Sequence, residues 1–408
     1  MRHRTARGWF WTSTALAIVL AATVVLYSTR GWIWLGVTPI GDARVPFSDA
    51  AAQLAAADDC ANGAGEWEYG VCFLPSVRAE THSQTYEPWL TFQRLGLTAS
   101  LYVPVAFAMI GVFYLALCLA FRPANGTQAA WLLLFLFSPA VQLAIERANF
   151  DLLTSAILCL AARCLADRRP AVAIAGCLAL GVDTSLKVYT GLSAILAWIV
   201  RRDRRAMIAI AALLSTLAAI AIVGPDSIIA LGHGAPEGRT RFSTGAHWLM
   251  RERGLAWSIA AAVMASIAFA VAWLVLEHRT PRALFSRYPH RTALLQIAFL
   301  TAVPLFLIKD SYDYRFVLWL PCLSLLVAFV CDQSLDRAWR RFALVLLSLC
   351  AIVFCAELPC MLLDRLGSGT ARLVDGIVLI KQFSVWIVAA LLAVLFALSI
   401  RDRAKLPA

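Results

Sequence analysis

Residues 128–166 read QAAWLLLFLFSPAVQLAIERANFDLLTSAILCLAARCLA, two apolar runs at 128–145 and 150–166 with Glu146-Arg147-Ala148-Asn149-Phe150-Asp151 crowded where they meet. Each run is about as long as a hydrocarbon layer requires, and the join leaves almost no room for a loop. Glu146, Arg147, Asn149 and Asp151 are therefore expected at membrane depth or just outside it. Ionisable side chains are costly there and either pair or line a polar cavity. A salt-bridged helix turn with Asp151 as a cap would use the same residues without any chemistry. Glu146 and Asn149, three apart, could instead share a helix face that suits a polyhydroxylated ligand.

The rest of the chain repeats this pattern. Of its 408 residues 61% are apolar and only 15% charged, against an apolar share of roughly 45–50% in soluble proteins. Apolar runs of membrane-helix length fall at 9–29, 97–121, 128–145, 150–166, 206–223, 255–276, 292–309, 315–331, 341–359 and 380–400. Between 170 and 200 two shorter runs flank GVDTSLKVYT, which reads either as a tight turn or as an interrupted span. The expected fold class is all-α: a polytopic integral membrane protein of 10 to 12 helices, about 12 if the 170–200 region is counted as two. No repeat or linker divides it, so residues 1–408 read as one membrane domain.

The net charge of +11 is gathered in short clusters between apolar runs, which reports orientation and speaks against a nucleic-acid partner. An even span count puts MRHRTAR, FRPANG, ADRRP, RRDRR, EHRTPRALFSRYPHR, DQSLDRAWRR and RDRAK on one face. Positive charge marks that face as cytoplasmic. Both termini are then expected in the cytoplasm and the chain in the cell (inner) membrane. The basic start resembles a signal peptide, but its apolar run is roughly 20 residues against the usual 7 to 15, so an uncleaved first span is expected. Asn125-Gly126-Thr127 matches a glycosylation sequon but falls on the cytoplasmic face.

The opposite face receives residues 30–96, the first extracytoplasmic loop and the longest stretch that cannot lie in lipid. Within it Asp49 opens an Ala-rich helical segment just beyond the first span, where a carboxylate can act as a general base or bind a cation while still meeting water. With Ser48 it could equally be a helix N-cap. Cys60 and Cys72 lie in the same loop and could form a disulfide in an oxidising compartment. Cys118, Cys159, Cys164, Cys177, Cys322, Cys331, Cys350 and Cys355 fall in or beside apolar helices and read as packing residues.

Three more polar groups share that face. Lys187, followed by Tyr189, sits in the break of an apolar hairpin; it is a point charge suited to phosphate or carboxylate, or a lysine snorkelling to the interface. Lys309-Asp310-Ser311-Tyr312-Asp313-Tyr314-Arg315 sets two carboxylates, two phenols and two cations just before a span. Tyr312, Asp313 and Arg315 could belong to a ligand-binding turn, or to an interfacial aromatic belt with compensating charges. RTRFSTGAHWLMRERG adds His247 among arginines, a combination suited to a sugar-phosphate headgroup. No Walker A loop, dinucleotide fingerprint, HExxH or metal-spaced Cys/His set is present, so no metal ligands are assigned.

In their order, an acidic residue in a long first outer loop, Tyr86, Pro88 and Trp89 closing that loop, ERANFD, TSLKVYT and the late SYDYR resemble the polytopic glycosyltransferases of the GT-C class. The resemblance is strongest to family 87, the polyprenyl-phosphate-mannose-dependent mannosyltransferases, and runs from about 40 to 330. It implies transfer of a hexose, mannose in that family, from a polyprenyl-phosphate-sugar donor to a lipid or glycan acceptor at the outer face. Asp49 would be the base, Lys187 and Arg315 would neutralise the departing phosphate, and Glu146, Asn149, Asp151, Tyr312 and Asp313 would orient sugar or acceptor. Asp49 is followed by AAAQLAA without the aromatic common in that family, and Asp58-Asp59 is a rival acid pair. The residues do not indicate whether a divalent cation takes part. The competing expectation is a transporter or lipid-linked-sugar flippase, which would use intramembrane charges and broken helices.

Overall fold

The structure, a computed structural model, describes residues 2–29, 46–63, 66–68, 71–73, 84–167, 169–195, 205–223, 243–244, 246–281, 283–308, 311–366 and 370–404. Its helices are α1 (Arg2–Thr29), α2 (Ser48–Ala61), α3 (Glu87–Arg94), α4 (Tyr102–Phe121), α5 (Gly126–Leu136), α6 (Pro139–Arg147), α7 (Asp151–Leu165) and α8 (Pro170–Leu186). There follow α9 (Arg205–Val223), α10 (Ala246–Arg253), α11 (Leu255–Glu277), α12 (Pro289–Ile308), α13 (Leu320–Cys331), α14 (Arg337–Cys355), α15 (Glu357–Leu366) and α16 (Ala371–Ala404). Short strands β1 (Glu66–Glu68), β2 (Val71–Phe73) and β3 (Gln84–Tyr86) form an antiparallel sheet, and β4 (Ser243–Thr244) pairs with β5 (Ser311–Tyr312). The chain is thus overwhelmingly helical.

Among the described residues six helices are long and apolar enough to cross a membrane: Gly8–Thr29, Ala99–Phe121, Leu255–Glu277, Pro289–Leu307, Arg337–Cys355 and Ala371–Asp402. Several such helices suit a polytopic membrane protein. The run expected as one span at 128–145 is divided into two helices, α5 and α6, bent by 59°, which together are long and apolar enough to cross. Pro139 accounts for the bend, since it cannot donate to the preceding turn and disfavours helix at the residue before it. The carbonyls freed at the end of α5 are met from within: Ser138 Oγ donates to Phe135 O at 2.6 Å and Gln142 Nε2 to Leu136 O at 2.7 Å. Over 150–166 the helix is only the 15 residues of α7, or about 22 Å, short of a ~30 Å hydrocarbon core. The ambiguous 170–200 region begins as α8, leaves the helix at Lys187 and continues as a 3₁₀ turn over Val188–Ala194.

The chain forms two compact units, one of Met1–Thr38, Tyr114–Leu143 and Gly238–Ala408, the other of Pro39–Phe113 and Ala144–Glu237. In the first, α11 and α14 pack on α16, and α12 on α13. Trp339 is fully buried against Phe285 and Phe329 while its Nε1 donates to Arg279 O at 3.1 Å. Asp402, near the end of α16, accepts from the backbone N–H groups of Ala283 and Phe285 at 2.8 and 2.9 Å.

In the second unit α7 and α9 both pack on α8. The approach is close because residue 181 is glycine: a Cβ there would stand 2.8 Å from that of Ser215. α2 packs on α3 and β3. Cys60 at the end of α2 and Cys72 in β2 are joined by a disulfide, with Cα atoms 6.2 Å apart, and pack with Ala56 and Leu90.

Candidate functional site

The second unit assembles most of the polar residues singled out above, and two unusual backbone turns bring them together. Phe47 precedes α2 in the left-handed region (φ 65°, ψ 35°) and is fully buried, its ring edge-on to Phe107. A bulky residue adopts this conformation only when its surroundings impose it. Here the Phe47 N–H donates to Glu146 O at 2.6 Å, which ties the start of α2 to the end of α6. Ala148, also left-handed (φ 45°), ends α6. The chain therefore turns between Arg147 and Asn149, and Glu146 and Asn149 do not share a helix face. Asn149 serves the junction instead.

Asp49 sits in the first turn of α2. Its Oδ1 accepts from Arg147 Nη2 and its Oδ2 from Asn149 Nδ2, the latter at 2.6 Å. The N-cap position belongs to Phe47 and carries no side-chain cap bond, so Asp49 is directed at the ERANFD turn rather than at its own helix. Asn149 Oδ1 in turn accepts from the Asp151 N–H at 2.8 Å, which passes the contact on to the start of α7. Asp151 is 1% exposed. Its Oδ1 accepts from Tyr189 Oη at 2.6 Å and lies 3.4 Å from Lys187 Nζ.

One continuous polar chain results, running Arg147, Asp49, Asn149, Asp151, then Tyr189 and Lys187. Side-chain exposures of 19% for Asp49, 16% for Arg147 and 26% for Lys187 leave its two ends partly exposed and its middle covered. Glu146 is buried, and its Oε2 has no hydrogen-bond partner among the described residues.

Asp183, inside the GVDTSLKVYT break, is a member that sequence reading overlooked. It is completely buried on α8, with the hydroxyls of Thr154 and Thr190 facing it and the charges of Asp151 and Lys187 acting on it. A charged residue in an apolar run is the signal that could have found it; Lys187, four residues on, took the attention.

Asp58 is held differently from Asp49. Its Oδ2 accepts from the Ala99 N–H at 2.7 Å, capping the turn before α4, and it lies nine residues along α2, roughly 14 Å from Asp49. Asp59 is exposed on the same turn.

Beside the polar chain, Leu54 of α2, Leu97, Val105 and Met109 leading into and along α4, and Phe150 and Leu153 by α7 line an apolar groove of about 280 Å³. Phe150 stands between Asn149 and Asp151 in the chain, so the groove and the charges share a wall.

The remaining sequence candidates belong to the first unit. Asp313 is buried against Lys381 and Glu357. Arg315 is half-buried and lines a small pocket with Thr244, Phe306 and Trp319. Tyr312 pairs through its backbone with Ser243, and His247 lies in α10; the side chains of both fall outside the described residues, as do those of Tyr86, Pro88 and Trp89.

No three His, Cys, Asp or Glu residues cluster as a metal-binding set among the described residues. Both oxygens of Asp49 are already engaged by cationic or amide donors, which is poor preparation for a divalent cation. No protein family profile, curated protein or solved structure matches this chain.

Proposed function

We propose that this chain is a GT-C-type membrane glycosyltransferase of about twelve spans with both termini in the cytoplasm. It transfers a hexose, mannose by the resemblance, from a polyprenyl-phosphate-sugar donor to a lipid or glycan acceptor at the extracytoplasmic face. The observation that carries the reading is the linked chain Arg147–Asp49–Asn149–Asp151–Lys187. It places a partly exposed carboxylate and two cations beside an apolar groove. Those are the parts that transfer between a hydroxyl and a lipid phosphate ester requires.

In this reading Asp49 accepts the proton of the acceptor hydroxyl. Each carboxylate oxygen has two lone-pair sites, so the hydroxyl can donate to Asp49 while Arg147 and Asn149 stay in place. The acceptor oxygen bonds to the anomeric carbon as the bond from that carbon to the phosphate oxygen breaks, and the electron pair leaves with the polyprenyl phosphate. Lys187 and Arg147 supply positive charge for the phosphate, and charge stabilisation in a partly dry site is commonly the largest catalytic contribution. Asn149 holds the base in place, and Asp151 holds Lys187.

The test is mass spectrometry of envelope lipids and glycans from cells carrying wild type, a deletion, or Asp49→Asn at equal membrane abundance. Deletion should remove one hexose increment from a single product, and Asp49→Asn should slow its formation by about 10²-fold or more, the scale of general-base catalysis. An unchanged rate in Asp49→Asn would remove the base assignment, and an unchanged glycan profile in the deletion would remove the transferase. The buried charges at Lys381, Asp313 and Glu357 favour a second reading, a transporter or lipid-linked-sugar flippase. It requires an unmodified lipid-linked sugar to accumulate on the cytoplasmic side of the deletion strain.

A further inference from the structure

One end of the first unit gathers arginines that the fold leaves without carboxylate partners. Arg279 follows α11, Arg287 closes the 3₁₀ turn Phe285–Arg287, and Arg337, Arg340 and Arg341 fall within the first five residues of α14. Trp339 draws these segments to one place, since its ring meets that of Phe285 and its Nε1 donates to Arg279 O. Arg279, Arg287, Arg337 and Arg341 are exposed. Arg340 is half-buried, and its Nε finds no hydrogen-bond partner among the described residues.

The acids at this end are engaged already. Asp336 accepts from the Ala338 N–H at 2.6 Å and stands 4.0 Å from Arg279, the far limit of an ion pair. Asp332 accepts from Tyr288 and Ser334, Glu277 pairs with Arg401, and Asp402 holds two backbone N–H groups. Arg291 does not join the exposed arginines, because its two Nη atoms donate to Ser324 O and Phe121 O at 2.8 Å.

The placement works against the helix that carries it. The first turn of a helix has partial positive charge of its own, which disfavours cations there. Arg337 and Arg341, four residues apart, are also like-charge neighbours on one face. An anion beside them removes both penalties.

The surroundings say which kind of anion. Leu344 and Val345, three and four residues beyond Arg341, are exposed, as are Leu274 and Val275 at the end of α11 just before Arg279. Both helices are long and apolar enough to cross a membrane. Arginines that adjoin exposed apolar side chains at the ends of two such helices lie at headgroup level, where phosphates are the anions present. A dissolved polyanion would leave those apolar side chains uncovered.

We propose that this arginine surface binds an anionic phospholipid, its headgroup phosphate against Arg337 and Arg341 and its acyl chains along the exposed apolar side chains of α14. The proposal rests on the membrane reading and is independent of the reaction assigned to the second unit.

The experiment is native mass spectrometry of the full chain in detergent, incubated with equal amounts of phosphatidylglycerol and phosphatidylcholine of the same acyl chains. Wild type should retain phosphatidylglycerol in preference. The double variant Arg337→Gln with Arg341→Gln should lose that preference by about fivefold for each arginine removed, the scale of one basic side chain at an anionic surface. Arg337→Lys with Arg341→Lys should keep most of it, which a role in folding alone would not predict. Arg251→Gln with Arg253→Gln removes the same charge just before the opposite end of α11 and should leave the preference unchanged. Helical circular dichroism and a monodisperse elution profile check that each variant folds.

Equal retention of the two lipids by wild type overturns the proposal, as does a preference that survives in the glutamine pair or falls equally in the Arg251 and Arg253 control. Displacement of the lipid by inorganic phosphate, at an ionic strength held constant with chloride, would make this a site for a soluble anion and overturn it too. Retention of neither lipid would remove the membrane reading along with it.

Discussion

At the scale of single residues, the second unit is held by two backbone conformations that side chains other than glycine seldom adopt. Ala148 is fully buried at φ 45°, and a left-handed residue with a Cβ costs roughly 1–2 kcal/mol. Ala148→Gly should therefore raise stability against denaturant by about 1 kcal/mol, because part of that relief is offset by the extra freedom glycine brings to the unfolded chain. If the turn holds Asn149 on Asp49, the same variant should lose activity as it gains stability; a gain in both would show the strain to be incidental.

A second residue-scale outcome concerns Asp332, outside the long apolar helices. It accepts from Tyr288 Oη and from the N–H and hydroxyl of Ser334. The Tyr288 hydrogen bond, with Ser334 adding to it, holds its carboxyl below the usual range, while burial and the Asp332 bond push the Tyr288 phenol up. A carboxyl depressed in the folded state stabilises above its unfolded value, about 3.9, and the contribution is lost as pH falls through the folded value. Tyr288→Phe should lower the melting temperature at pH 7, and the gap to wild type should close below about pH 4. A gap that stays constant with pH would assign the loss to packing alone.

At the scale of elements, sequence periodicity located apolar runs well and misjudged how the chain ends them. The run read as 380–400 put Lys381 at its edge, where a lysine can snorkel to water. The helix begins at Ala371 instead, so Lys381 is ten residues in, about 15 Å along the axis, and meets buried partners. Residues 128–145 look continuous because apolarity does not register the backbone consequence of Pro139. Asp49, Arg147, Asn149, Asp151, Lys187 and Tyr189 were each visible as polar residues near apolar ends. Their linkage was not, because it depends on the turns at Phe47 and Ala148, which composition does not encode. Asp58, the rival acid, gives one carboxylate oxygen to the Ala99 N–H.

Close helix packing gives a prediction at this scale. Gly181 lets α8 approach Ser215 of α9 so closely that an added methyl must displace backbone or side chain. Gly181→Ala should cost about 1–3 kcal/mol by overpacking, read as a lower midpoint in thermal unfolding of the solubilised protein. It should weaken the second unit without touching a charged residue.

At the scale of the whole molecule, composition points to the membrane class, and the six long apolar helices among the described residues are compatible with it. The helices α7, α8 and α13, of 15, 17 and 12 residues, lie where the sequence has further apolar runs and are not among those six. The proposed orientation is open to a direct check. A fluorescent protein fused to the C-terminus should fold and fluoresce, while alkaline phosphatase fused after Gly96 should be active. The reverse pattern would invert the molecule and carry Asp49 to the cytoplasmic side.

The bond between Cys60 and Cys72 adds an internal record of where this segment has been. The other nine of the eleven cysteines are free thiols, so a chain unfolded in a bulky alkylating reagent gains nine mass tags before reduction and eleven after it. A molecule whose 48–73 segment never left a reducing compartment gains eleven at once. A two-tag step on a gel therefore separates exported from stranded copies of the same polypeptide, without a fusion, an antibody to either face or any knowledge of the product.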